Sequence, residues 1–448
     1  NDIFGGETQT VFSQNLIAAL VYLQGDTTFR PPDWELHLTP VLNLSRVLSE
    51  EARALRIDPR DGRHRSDSYL GVQELFVDVH LRNVSERYDF DSFRFGIQPL
   101  SSDFRGFLFQ DNQLAARLFG TRDNNRWQYN LAWVRRLEKD TNSGLNAIDR
   151  ALRHDDVFLF NLYRQDMPRI GFTSQGLIAH NRNREDSRRY FDRNGFQVRP
   201  ASLGEQKPRR YEVTYLGYNG DGHFGRLNLT LASLLVLGQQ SRGVFAASED
   251  RIAAGFAAAE ASVDQDWRRW RLSALWASGD RNPFDGKATG FDAIFENPIF
   301  AGADTSFWIR QPVPLIGGGG VVLSGRNGVL NALRASKEQG QSNFSNPGTM
   351  LLGAGADFDL LPELRISANL NHLWFEHTAV LEAARNQAGI ARDIGWDVST
   401  ALIWRPLMSQ NIVLRVSAAV LLPGTGYEAL FPDDERPYSV LGNFIFAY

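Results

Sequence analysis

Eleven charged residues stand at alternate positions in segments whose other positions are mainly apolar. They are Arg82, Arg94, Arg226, Arg269, Arg271, Arg365, Arg415, Glu74, Asp78, Glu212 and Asp397. Successive side chains of a β-strand point to opposite faces, so this set would lie on the face of the sheet opposite the apolar residues. Along a watery path such charges attract and select ions. Arginine outnumbers the acids, so we expect a mild preference for anions, unless the charges pair across strands and brace the sheet.

Motifs for covalent chemistry are absent. The chain has no His-Glu-x-x-His, no Gly-x-Ser-x-Gly and no phosphate-binding glycine loop that ends in lysine. His372 and His377 are five apart on a predicted strand, so their rings would face opposite ways and could not share a metal ion. The chain has no cysteine, which excludes disulfides, thiolate metal sites and a cysteine nucleophile. We therefore expect no enzyme, no metal and no cofactor.

The elements that would position the charged set are strands with a period of two. Between Trp34 and Ser45, oily residues alternate with mostly polar ones over about the 9–11 residues of a tilted transmembrane strand. The pattern recurs at 74–82, 127–134, 269–276, 364–374 and 396–404, with tryptophan at or near the ends of several runs, as in an interfacial girdle. Further strands are predicted near 9–24, 90–98, 114–121, 157–165, 170–180, 209–218, 224–237, 252–263, 305–311, 349–360 and 411–421.

Composition agrees with strands that present one face to lipid. The 448 residues are 43% hydrophobic and 22% charged, and no apolar run approaches the roughly 20 residues of a membrane helix. Mean hydropathy is only -0.32, as expected when apolar residues take alternate positions. No Pro-, Gly- or Ser-rich linker divides the chain, which predicts a single domain over 1–448. A net charge of -4 argues against nucleic acid as a partner.

The last strand carries a pattern of its own. From Leu441 to Tyr448, the aromatic residues Phe444, Phe446 and Tyr448 fall on one face. This ending resembles the C-terminal assembly signal of bacterial outer-membrane barrels. We therefore predict an all-β fold, an antiparallel transmembrane β-barrel of about 18 strands (16–18), integral to a Gram-negative outer membrane. Its partners would be outer-membrane lipid and the barrel assembly machinery, and a soluble propeller-like protein is the alternative architecture.

Long polar connections alternate with tight turns, at about 46–68, 138–155, 181–208 and 279–346. The 279–346 insertion also carries apolar residues between Phe291 and Phe300, and a short helix is predicted over 329–337. These apolar groups need burial. Folding inward would make the insertion a plug that constricts the lumen, and packing on the rim or on a neighbouring protein would make it a surface cap.

Several passages resemble the alginate-export family of outer-membrane porins. Phe93–Leu100 followed by Asp103–Gly106 is similar to one passage of that family, and Trp404–Leu407 with Gln410 and Asn411 is similar to its penultimate hairpin. The resemblance implies an 18-stranded barrel that exports a polyanionic polysaccharide through an arginine-rich constriction closed by loops. The basic excess here is weaker than that role suggests, so only the architecture and the channel class are carried over.

Three functions remain open. The first is a channel for a hydrophilic solute, anionic or saccharide. The second is a structural barrel that sheathes or anchors a periplasmic or surface partner protein, such as a multihaem electron-transfer cytochrome. The third is a barrel enzyme that acts through residues outside the common motifs.

Overall fold

The computed structural model describes residues 10–27, 30–48, 62–195, 197–200, 204–302, 305–306, 313–314, 320–321, 336–408, 410–432 and 436–447. The strands are β1 Thr10–Ile17, β2 Leu20–Gln24, β3 Trp34–Leu48, β4 His64–Asn83, β5 Phe90–Ser101, β6 Gln110–Arg122, β7 Trp127–Arg135, β8 Asp155–Arg164, β9 Phe172–Asn183, β10 Tyr190–Phe191, β11 Gln197–Arg199, β12 Tyr211–Phe224, β13 Leu227–Gln240, β14 Asp250–Gln265, β15 Arg268–Ala277, β16 Lys287–Ala288, β17 Val313–Pro314, β18 Gly320–Val321, β19 Thr349–Leu361, β20 Leu364–Trp374, β21 Asp393–Trp404, β22 Ile412–Pro423 and β23 Tyr438–Phe446. The helices are α1 Ser336–Gln339, α2 Ala379–Arg385 and α3 Thr425–Leu430.

One antiparallel sheet forms the wall. β1 and β2 pair with β3 in a single register, with Thr10 opposite Leu48 and Gln24 opposite Trp34, so they act as one strand with a break. From β3 onward each long strand pairs with the next long strand along the chain, up to β23. Taken this way, the described residues supply seventeen long wall strands, and none of their ladders joins β23 to β1 or β2. The predicted antiparallel barrel of about 18 strands is confirmed.

The two faces of the wall differ as the alternation predicts. On β4, Leu75, Val77 and Val79 are exposed, whereas Phe76 and Asp78 between them are buried. Polar side chains are buried on the inward face all around the wall, among them Asn43, Gln98, Asn181, Asn219 and Asn371. An exposed apolar face over a wet, hydrogen-bonded interior suits lipid outside and water inside. The chain is an integral outer-membrane β-barrel.

Connections at the two ends of the wall differ in length. At one end the turns are short, at 123–126, 225–226, 266–267 and 362–363, and at the other end lie the long connections 136–154, 184–210 and 278–348. Outer-membrane barrels place short turns in the periplasm and long loops outside, which orients the chain. Within the described part of the chain, no helix has the length and apolar character needed to cross a bilayer.

Turn chemistry explains one short periplasmic turn. Asp123, Asn124 and Asn125 all have positive φ, between 55° and 62°, a conformation that Asp and Asn tolerate better than most residues. The Asp89 carboxylate accepts hydrogen bonds of 3.1 Å from the backbone N–H groups of Asn124 and Asn125. The neighbouring connection 84–89 therefore holds this turn in place.

Some sequence predictions fall on residues that the structure does not describe. Tyr448 lies outside the described residues, as do most of the predicted helix over 329–337 and of the predicted strand near 305–311. Phe444 and Phe446 are described, and they are exposed on the outer face with their ring centroids 4.0 Å apart.

Leu272→Arg tests the assignment of the lipid-facing side. Leu272 is 67% exposed and lies within β15, so arginine there should destabilise the folded barrel by about 2–4 kcal/mol in lipid. Leu407 is also 67% exposed but lies in the connection after β21, so Leu407→Arg is the matched control and should cost close to nothing. Equal stability of the two variants in denaturant titrations in lipid vesicles would contradict the assignment.

Candidate functional site

The interior of the barrel contains chain segments that enter from the long-loop end. The connection 102–109 between β5 and β6 contacts the long connection 278–348 between β15 and β19, which is called the excursion below. The N–H groups of Ile294 and Phe295 donate to the Leu108 carbonyl at 3.1 and 3.0 Å, and the Gln110 N–H donates to the Phe295 carbonyl at 2.9 Å. The two segments thus satisfy each other's backbone groups away from the wall.

Aromatic packing fixes the same segment. The ring of Phe107 lies 5.0 Å from that of Phe256 on β14 and 5.3 Å from that of Phe300. Phe256 also stacks with Phe291 at 4.8 Å. Phe295 is 2% exposed. Ile294, Phe295 and Phe300 are therefore buried inside the barrel and Phe291 is partly buried, whereas Ile299 is 59% exposed.

A few residues further on, the excursion reaches a distant part of the wall. The Asn371 amide on β20 donates to the Ala301 carbonyl at 3.0 Å, and the Asn369 amide donates to the Thr305 hydroxyl at 3.1 Å. Ser306 bonds to Asp397 on β21, a carboxylate that is fully buried. Residues 290–306, where described, therefore run across the lumen from the β5–β6 side to the β20–β21 side.

Three buried arginines hold the returning half of the excursion. Arg153 donates to the Gly340 carbonyl at 2.7 Å, Arg199 to the Gln339 carbonyl at 2.7 Å and Arg209 to the Ser342 carbonyl at 2.5 Å. These arginines come from the two long connections 136–154 and 184–210. Charged donors suit backbone carbonyls that water does not reach, because a buried acceptor without a partner is costly.

Carboxylates neutralise this arginine group. Arg153 pairs with Glu185 at 2.8 Å and Arg199 pairs with Glu138 at 2.6 Å, all with side chains less than 10% exposed. Burial raises the pKa of Glu185, but the charges of Arg153 and Arg199 outweigh burial and hold that pKa at about 2. Glu185 therefore stays ionised at physiological pH. Removing one partner would leave a buried charge, a change that typically costs about 3–5 kcal/mol.

Most of the predicted lumen residues lie on the inward face and are paired. Arg94 bonds to Asp78 at 2.7 Å, Arg365 to Asp359 at 2.9 Å and Arg269 to Asp264 at 3.1 Å. Arg271 bonds to Asp357 and, at 2.8 Å, to the side-chain amide oxygen Oδ1 of Asn369. Glu74 accepts from Thr39 at 3.0 Å, and Asp397 and Arg415 also face inward. Four of these arginines therefore form ion pairs across neighbouring strands, which is one of the two roles that the sequence left open.

Three members of the predicted set lie elsewhere. A β-bulge between His80 and Arg82 moves Arg82 to the outer face, where it bonds to Asp91 at 2.8 Å with its side chain 69% exposed. Arg226 lies in the two-residue turn between β12 and β13. Glu212 faces outward and pairs with Arg182 at 3.0 Å.

The error at Glu212 has a physical cause. Its neighbours Tyr211, Val213 and Tyr215 point inward and are at most 1% exposed. The Tyr215 hydroxyl donates to the Asp292 carbonyl at 3.0 Å, and the Tyr211 hydroxyl accepts from the Ser342 N–H. The excursion fills this part of the lumen, so the apolar face of β12 is its inner face.

Sequence reasoning missed Arg117. It lies on the inward face of β6, where Asn130 accepts from its Nε at 2.9 Å and the Phe119 ring lies 4.7 Å from its guanidinium carbon. Among the described residues, no carboxylate lies within ion-pair distance of it. The predicted strand over 114–121 places Arg117 on the face opposite that of its apolar neighbour Leu118. This alternation was the sequence signal that could have identified Arg117 as a lumen residue.

Arg117 faces a lumen cavity of about 460 Å³. Polar groups dominate the lining, with Asn130, Asn161, Tyr163 and Gln110 on the wall and Asn297 from the excursion. Asp111 also lines the cavity, and its carboxylate pairs with the buried Lys139 at 2.6 Å. A larger concavity of about 1010 Å³ is lined mainly by alanine, valine and leucine of the lipid-facing side. The smaller cavity is therefore the candidate solute site.

The two histidines that the sequence places on one strand are separated. His372 lies on β20 beside Asp393 at 3.1 Å, whereas His377 lies three residues beyond the end of that strand. The prediction that both lie on one strand is wrong for His377. In the described ranges, no three His, Asp or Glu side chains are grouped closely enough to hold a metal ion.

Comparison with protein-family models gave no match, and comparison with curated proteins gave none either. The resemblance to the alginate-export family therefore stays a prediction. Among solved structures, the chain is similar to OccK7 (OpdD) of Pseudomonas aeruginosa, with 12% identity and a TM-score of 0.47, over 93% of this chain and 90% of that chain.

Two further structures match at the same level. OccK5 (OpdH) of Pseudomonas aeruginosa has 12% identity and a TM-score of 0.47, over 98% of this chain and 93% of that chain. OccAB4 of Acinetobacter baumannii has 11% identity and a TM-score of 0.43, over 96% of this chain and 88% of that chain. Nothing about solute or mechanism is carried over from similarity at this level.

Proposed function

We propose that the chain is a porin-like outer-membrane channel for small hydrophilic anions. The observation that supports it is the guanidinium of Arg117, which faces the lumen cavity without a carboxylate partner. A largely buried cation is costly unless an anion or strong acceptors balance it. An anionic solute that enters this cavity would supply that balance, and the neutral amides and the Tyr163 hydroxyl around it would bind the polar remainder of the solute.

The size of the cavity favours a small solute over a polymer. About 460 Å³ is within the range of small-molecule sites, whereas an extended polysaccharide needs a continuous path. Asn297, within residues 290–302, lines this cavity, and residues 339–342 bond to the long connections at the extracellular end of the barrel. We infer that these two segments form the constriction of the channel, so an exported polyuronate would have to displace them.

The same contacts weigh against a sheath for another protein. The inward faces of β12, β14, β20 and β21 already bind the chain's own excursion. A partner inside the lumen would have to replace these contacts. An enzyme has no comparable support among the described residues.

Arg117→Gln tests the anion site in planar bilayers. The substitution removes the lumen charge but keeps a hydrogen-bonding side chain, so the ratio of anion to cation permeability should fall by about three- to tenfold, as expected for the loss of roughly 1 kcal/mol. Reversal potentials under a salt gradient give the ratio. Arg122→Gln is the matched control, because Arg122 is on the same strand but bonds to Asp91 on the outer face.

Both outcomes of the bilayer experiment are informative. A wild-type channel that prefers cations, or an Arg117→Gln channel with the wild-type ratio, would rule out the anion site. Silence from well-folded protein would contradict the channel itself.

A pair of engineered cysteines tests the constriction. The hydroxyl oxygens of Thr305 and Ser399 lie 3.4 Å apart, so Thr305→Cys with Ser399→Cys should form a disulfide under mild oxidation. The chain has no other cysteine, so mass spectrometry of linked peptides reads the result directly. Thr305→Cys with Thr400→Cys is the control, because Thr400 follows Ser399 on the opposite face. Absence of the first crosslink would favour a surface cap.

A further inference from the structure

The two ends of the long excursion meet at one place on the connection between β20 and β21. The Gly279 N–H donates to Glu376 Oε2 at 2.9 Å, and the His377 N–H donates to the Pro347 carbonyl at 2.9 Å. The ends also bond to each other, since the Asp280 N–H donates to the Asn346 carbonyl at 2.8 Å. Glu376 and His377 therefore hold the point from which the excursion enters and leaves the barrel.

One nitrogen of His377 has two competing partners. Arg281 Nε donates to His377 Nε2 at 2.9 Å, and Glu376 Oε2 lies 3.0 Å from the same Nε2. The guanidinium has no acceptor, so its bond requires Nε2 to carry no hydrogen. The carboxylate accepts only, so a bond to Glu376 requires Nε2 to carry one. The two bonds exclude each other, and the hydrogen on Nε2 decides between them: the neutral ring with its hydrogen on Nδ1 accepts from Arg281, and the doubly protonated ring donates to Glu376.

We call residues 279–281 and 346–347, where the two ends of the excursion meet, its neck. We propose that His377 is a pH-operated latch on this neck. The neutral ring accepts from Arg281 and ties the outgoing segment to the β20–β21 connection. When the ring binds one proton, Nε2–H donates to Glu376, and the imidazolium repels the Arg281 guanidinium at close range. The outgoing segment then loses that tie, and its mobility increases.

The surroundings of His377 allow this exchange. Its side chain is 29% exposed and that of Glu376 is 13% exposed, so protons reach the pair from the extracellular solvent. No backbone movement is needed to change partner, because both partner atoms already lie within hydrogen-bond distance. The charged groups at the neck are Asp280, Arg281 and Asp285 of the excursion, Asp250 of β14, and Glu376 and Arg392 of the β20–β21 connection.

Asp280 precedes Arg281 in the sequence, and its protonation acts on the excursion in the opposite direction to that of His377. Burial raises the pKa of Asp280 to about 6, helped by the charges of Asp285 and Asp250, and its Oδ2 is buried without a hydrogen bond. Because this pKa lies above the usual value, the neutral acid favours the folded neck. That contribution is present at acid pH and is lost as pH rises through about 6. Asp280→Asn removes this titration and isolates His377.

The experiment measures the mobility of the excursion with two spin labels. Phe284 on the excursion is 61% exposed, and Ala388 is exposed on the β20–β21 connection. Both are replaced by cysteine in the Asp280→Asn protein, which has no other cysteine to remove. Double electron–electron resonance gives the distance distribution at pH 8 and at pH 5. We expect a narrow distribution at pH 8 that broadens at least twofold at pH 5.

Three variants make the result specific. His377→Gln should stay narrow at both pH values, because its amide oxygen accepts from Arg281 and does not titrate. Arg281→Gln should be broad at both, since the tie is missing. His154→Gln, at an exposed histidine of the β7–β8 connection, should respond as the parent protein does.

The latch is refuted if the parent distribution does not change with pH, or if His377→Gln keeps the full response. The distance measurement does not depend on conduction. The result therefore tests the latch independently of the proposed channel.

Discussion

Where the excursion packs against the barrel wall and the long connections, its backbone is shielded from water, so each buried carbonyl and N–H group there needs a partner from the protein. This constraint governs the long-loop end of the molecule. Arg153, Arg199 and Arg209 donate to carbonyls of residues 339–342, while the segment 102–109 pairs with 294–299. Each arginine brings a charge that must be balanced in turn, and Glu185 and Glu138 balance two of them. The loops at this end thus form one connected structure.

Alternation predicted the wall well, because lipid outside and polar contacts inside impose a period of two on every strand. The exposed Leu75 and Val77 and the buried Asp78 follow that rule. Two local features break it. A bulge beside Arg82 shifts the face of the following residues, and the turn at Arg226 interrupts the strand pattern. Neither is visible in a count of alternate positions.

The candidate site was harder to predict, because the contents of the lumen decide which face of a strand is polar. Tyr211 and Tyr215 look lipid-facing in the sequence, yet they contact the excursion. Arg117 looks like one more lumen arginine, and only the structure shows that it lacks the carboxylate that Arg94, Arg269, Arg271 and Arg365 each have. The sequence therefore identified arginines that prove to be paired, and it did not single out Arg117.

The path of the excursion across the lumen also constrains the order of assembly. Its residues bond to β12 and β14 in the middle of the wall and to β20 and β21 near its end. The contacts to β20 and β21 can form only after these late strands have joined the wall. The interior of the barrel therefore reaches its final packing only at the end of assembly, when nearly the whole chain has been placed.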